Sequence, residues 1–205
     1  MKKIFYVFLF IILVLGFILF SARSYANTVS NDLSDKFFRL HILANSDSSE
    51  DQELKLKVRD KIIEYMNSHN FKSKKDAIYY VETNLSELYK IAQDTIINNG
   101  YNYSVNIEIG NFYFPTKNYG NLSLPAGFYD GIKIEIGNAK GQNWWCSLFP
   151  PLCFVDISSG VIKNDNLTTL ENELSNEEFN LITEQNSSNT DIKFKFKIVE
   201  LFNKN

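Results

Sequence analysis

The apolar pattern changes period along the chain, and those changes divide it. From Ile4 to Phe20 the residues are apolar without interruption. After a polar stretch, Phe37 to Ala44 reads as a short strand, with Phe38, Leu40 and Ile42 on one face and Phe37, Arg39, His41 and Leu43 on the other. Apolar residues then recur at helical spacing from Ser49 to Asn67, through Leu54, Val58, Ile62, Tyr65 and Met66. Asp47 followed by Glu50 resembles a capping box for that helix, whose lysines and Arg59 are expected to face mostly outward. Ser73 with Asp76 opens a second helix, which Asn98-Asn99-Gly100 stops.

Beyond Gly100 the period falls to two. Tyr101 to Ile109 alternates as a half-buried strand, and Gly110-Asn111 reads as a hairpin turn leading into a partner strand from Phe112 to Lys117. Tyr119 to Leu124 is expected to be a loop, and Phe128 to Ile136 a strand with Ile132, Ile134 and Ile136 facing inward. Asn143 to Phe154 holds both tryptophans, both cysteines and two of the four prolines. Pro150 and Pro151 remove two backbone donors, so this segment is expected to be an ordered loop pressed on the core. Residues 158–190 are polar, with a short helix near Asn176–Glu184, and 191–205 end in an alternating segment that reads as a last strand. Strand, two helices, then several antiparallel strands define an α+β domain of two layers, a mostly antiparallel sheet packed on two helices.

The N-terminal order is basic, apolar, then small: Lys2-Lys3, the apolar run, and Ser24-Tyr25-Ala26. This predicts an export leader over residues 1–26, cleaved after Ala26 or kept as an anchor. Both outcomes place the remainder outside the cytoplasm, because the lysines stay inside. Removing the leader takes Lys2, Lys3 and Arg23 and leaves 18 basic against 24 acidic residues, −6. An acidic surface with no basic tract argues against a nucleic-acid partner, and against a lipid-surface protein.

Outside the cytoplasm a disulfide persists, and Cys146 with Cys153 encloses a short loop. A cystine is the favoured reading, with two buried thiols as its alternative. A reactive Cys146 needs a basic partner, for which His41 or His69 would serve. With Asn45, the set Cys146 and His41 has the residue types of a cysteine hydrolase acting on peptide or cell wall. Arg39, His41, Asn45 and Asp47 gather at a strand end and a helix start, a place that suits anions. The plainer reading is that Asn45, Ser46 and Asp47 cap the helix. No cofactor motif and no metal-ligand spacing appears.

The run from Arg39 to Asp47, Arg-Leu-His-Ile-Leu-Ala-Asn-Ser-Asp, resembles the N-terminal signature of the stage II sporulation protein R family. Asp51 to Asp60, Leu124-Pro125-Ala126-Gly127, and Gly141 to Cys146 with Phe149 to Cys153 continue the resemblance. It covers about residues 36–157, which set the bounds of the core domain. Phe128 stands where the family usually carries a polar or acidic residue. The resemblance implies a protein made in the forespore and exported into the space between forespore and mother cell. There it would trigger, by contact, a membrane-embedded aspartic protease that processes pro-sigma-E. On that implication Arg39, His41, Asn45, Asp47, Trp144 and Trp145 are partner-binding candidates on a surface tied by Cys146–Cys153. The implied protein is a signal with no catalytic residues and no cofactor.

Overall fold

A computed structural model describes residues 2–120, 122–153 and 164–183. Helix α1 runs from Lys2 to Ser34. It takes in most of the polar stretch that precedes Phe37. No glycine or proline lies between Phe17 and Lys36 to break it, and it ends where Leu33 and Phe37 enter the core, both fully buried. Within it, Lys3–Ser21 has a mean hydropathy of 3.0 and is long and apolar enough to cross a membrane.

Strand β1 (Phe38–Leu43) is the centre of a four-stranded sheet. Strand β2 (Val105–Phe114) and strand β5 (Gly127–Ile136) lie to one side of it, and β6 (Asn143–Phe149) to the other, in the order β2-β5-β1-β6. β1 pairs parallel with β5 and antiparallel with β6, while β2 and β5 are antiparallel. The sheet is therefore mixed, antiparallel at two of its three ladders.

Two corrections follow from these ladders. Gly110-Asn111 makes no hairpin: β2 passes straight through, with Gly110 opposite Gly131 and Asn111 opposite Asp130. A turn signal of two residues is overridden when a long partner strand supplies the backbone bonds on both sides of it. The Asn143–Phe149 segment is an edge strand and not a loop. The prolines end it without entering it, through a cis Phe149–Pro150 bond and a turn that returns Leu152 N–H to the Ser147 carbonyl at 3.0 Å.

Helix α2 (Ser49–Asn67) has the expected bounds, but its cap is Ser48, whose hydroxyl accepts from the Asp51 N–H at 3.2 Å. Asp47 is exposed and caps nothing. Lys55 also departs from expectation: it is buried and donates to the Gln142 carbonyl at 2.9 Å. The expected second helix is two, α3 (Lys74–Thr83) and α4 (Leu85–Asn98), broken at Asn84. Ser73 caps α3 as read. The three helices cover the sheet face that carries Leu40, Ile42, Ile132 and Ile134, where Leu54, Val58, Ile62, Val81, Leu88 and Ile96 are buried against it. This continuous apolar contact supplies most of the stability, at roughly 25 cal/mol per Å² removed from water.

On the opposite face sits a small hairpin, β3 (Lys117–Tyr119) and β4 (Leu122–Leu124), in place of the expected loop. Helices α5 (Asn164–Glu173) and α6 (Asn176–Thr183) follow, and α6 matches the short helix read from the sequence. Residues 191–205, read as a final strand, lie outside the described residues.

Gly131 on β5 stands opposite Arg39 on β1. A Cβ there would lie 2.5 Å from the Arg39 carbonyl oxygen and 3.2 Å from Phe114 Cζ. Gly131→Ala must push two paired strands apart and should cost about 2 kcal/mol or more. Urea unfolding should show this as a lower midpoint at unchanged slope.

Candidate functional site

The face of the sheet opposite the helices carries the side chains of Arg39 and His41 from β1, and of Trp145 from β6. Strand alternation brings them together: Arg39 lies opposite Ser147 and His41 opposite Trp145. The His41 ring stacks on the Trp145 indole at 3.5 Å between centroids, and Phe114 meets that indole edge-on at 5.0 Å. His41 Nε2 lies 2.6 Å from Asn143 Oδ1, an atom that only accepts, so Nε2 carries the proton.

Arg39 is fully buried. Its guanidinium lies over the rings of Phe114 (4.3 Å) and Tyr129 (4.8 Å), and Nη2 donates to the Tyr119 hydroxyl at 3.3 Å. Nε and Nη1 have no hydrogen-bond partner. Trp144 points to the other face, where Arg59 of α2 covers its ring at 4.3 Å. The two adjacent tryptophans thus grip opposite sides of one edge strand.

Asn45 and Asp51 form a separate structure. Asn45 Nδ2 and Ser46 Oγ both donate to Asp51 Oδ2, at 2.8 and 2.5 Å. Asn45 Oδ1 accepts from the Asn138 backbone N–H at 2.9 Å, and its carbonyl accepts from Lys140 N–H at 3.2 Å. The β1–α2 turn is thereby latched to the β5–β6 turn. Burial works against the Asp51 carboxylate, but hydrogen bonds from Ser46, Asn45 and Tyr103 hold its pKa below the ordinary range. This latch satisfies Asn45 and Ser46 with the protein's own groups. Neither Asp51 nor Asn143 was singled out from the sequence, although both lie within the quoted motifs.

Cys146 and Cys153 are joined by a disulfide, with Cα atoms 5.1 Å apart. The pairing of Cys146 with His41 as a hydrolase dyad is overturned. The sulfur is in a cystine, and Cys146 lies opposite Leu40, on the face away from His41. Beside the disulfide, between β6 and the β3–β4 hairpin, is a cavity of about 280 Å³. Tyr119, Trp144, Trp145, Cys146, Leu152 and Cys153 are among its lining residues. No cluster of metal-ligating side chains occurs among the described residues.

The apolar helix is compatible with a signal or anchor, and the disulfide-tied α+β domain that follows it is of a kind that suggests export. The stage II sporulation protein R family model matches residues 34–159, and the chain belongs to that family. It is 43% identical over 130 residues to stage II sporulation protein R of Bacillus subtilis (strain 168), an alignment that covers 62% of this chain and 58% of that protein. The chain thus matches somewhat under two thirds of that relative's length. No solved structure matches it.

Burial lowers the His41 pKa to about 4 from 6.5, with Lys133 adding to the effect and the Asn143 bond opposing it. The unfolded chain therefore binds this proton first as the pH falls. Stability contributed by neutral His41 is whole above pH 6.5 and is lost progressively between 6.5 and about 4. NMR titration of the His41 ring should give a midpoint near 4, and His41→Gln should flatten the acid side of the stability profile.

Proposed function

We propose that this protein is an exported signal of sporulation, acting between forespore and mother cell. It activates, by contact, the membrane-embedded aspartic protease that processes pro-sigma-E. Family membership is the single observation that carries this reading. The apolar leader helix and the cystine agree with a destination outside the cytoplasm. The domain works as a ligand with no turnover of its own. Its binding favours the active arrangement of the protease through a difference in affinity for two states.

The contact surface is the edge strand with its cystine turn. Trp145 is half-buried, stacked on His41 and braced by Phe114, so its ring is held before any partner arrives. A rigid aromatic loses little conformational freedom on docking, which is what makes such residues anchors. Arg39, Asn45 and Trp144 support this edge from within the fold, and Asp47 lies exposed at the far end of β1.

Co-expression of the exported protein with protease and precursor tests the reading. Trp145→Ala, secreted and folded, should reduce precursor processing by about thirtyfold, the size of an anchor residue's loss. Tyr79→Ala, exposed on the helix layer, should leave processing unchanged. Full processing by the Trp145 variant would move the contact elsewhere, and turnover of a substrate by the purified protein alone would end the signalling reading.

A further inference from the structure

The last turn of α1 is seated in the domain. Leu33 is fully buried in the core, and Lys74 of α3 donates from Nζ to the Ser34 carbonyl at 2.8 Å. The same Nζ pairs with Asp130 of β5 at 2.7 Å, so the end of α1, α3 and β5 share one charged tie. At its other end α1 carries Lys3–Ser21, long and apolar enough to cross a membrane. Between the two lies Ser24-Tyr25-Ala26, the expected cleavage signal, inside one unbroken helix from Lys2 to Ser34.

A peptidase takes its substrate extended, with the scissile carbonyl free to receive hydrogen bonds from the enzyme. The helix denies it both. In helical geometry the Ala26 carbonyl accepts from the N–H of residue 30, and Thr28 Oγ1 donates to the Ser24 carbonyl at 3.1 Å. Two residues past Ala26, Thr28 already shares the lining of a cavity of about 410 Å³ with Glu177, Glu178 and Leu181 of α6. Cleavage therefore follows the population of chains that open locally. A helix with a free end frays from that end at little cost. A helix held at both ends opens only in its interior and creates two new ends, which lowers the open population by a factor of about a thousand.

We propose that the domain guards its own leader. Once Leu33 is seated, the Ala26–Asn27 bond is protected, and a peptidase cuts only chains whose domain has not yet folded. The cut adds water across that bond, leaving a carboxylate on Ala26 and a new amino terminus on Asn27. Whether a molecule is tethered or freed is then decided once, at folding. The inference stands apart from the signalling reading.

The test gives purified signal peptidase to the full chain, folded and oxidised in detergent micelles. Mass spectrometry follows the product that begins at Asn27. Ser30→Pro removes the bond to the Ala26 carbonyl and opens the helix around it, and should be cut at least about a hundredfold faster than the wild type. Lys74→Met leaves the leader unchanged and loosens only its seat. Losing a hydrogen bond from a charged group should speed its cleavage about tenfold. Native tryptophan emission and an intact disulfide show that each variant is folded, and Lys74→Met decides the matter if Ser30→Pro is not. In cells, the cleaved fraction of pulse-labelled wild type should settle early and hold through the chase. Wild-type cleavage as fast as that of either folded variant, or a cleaved fraction that keeps rising, would overturn the proposal.

Discussion

The double pairing of β1 is the constraint on which the rest depends. Six residues long, this strand has a parallel partner on one edge and an antiparallel partner on the other. Five of its residues are buried, so both faces are covered as well. A one-residue slip would exchange Leu40 and Ile42 with Arg39 and His41, placing a charge under the helices. The register is thus fixed by chemistry on both faces at once. Fixing it sets His41 opposite Trp145 and Leu40 opposite Cys146. The aromatic stack and the cystine follow from that alignment.

The two turns that flank this centre are tied by polar groups in place of apolar ones. Asn45 serves both, donating to Asp51 and accepting from Asn138, while Lys55 reaches from α2 to the Gln142 carbonyl. A buried lysine and a buried aspartate are tolerated because each is hydrogen-bonded. Their directional bonds hold the start of β6 in place, which apolar contact alone does only loosely. The edge strand therefore begins from a fixed point at Asn143 and ends in a covalent tie at Cys153.

Much of this was legible in the order of residues. The period-3.6 stripe gave α2 its observed bounds, and the inward isoleucines of β5 are the buried ones. Local signals failed where long-range pairing competed with them. Gly110-Asn111 looks like a turn, yet it lies mid-strand because Gly131 and Asp130 stand opposite. The Trp-Trp-Cys segment looked irregular because its prolines lie so close, but they fall one residue past the strand's end. Arg39 and Lys55 were read from alternation and charge, which assign a face and say nothing of what covers it. For the site, the aromatic residues and the cystine were visible. Phe114, Tyr119 and Tyr129, which surround Arg39, come from three different elements, and no spacing in the chain connects them.

The seat of Leu33 bears on what a cut after Ala26 would leave behind. This buried residue lies seven positions beyond Ala26, inside the last turns of α1. A peptidase cutting after Ala26 would remove the lipid-soluble part and spare the plug that seals the globule. Tethered and freed forms would then share one interior, so a cut there would alter reach and leave the packing of the domain as it is.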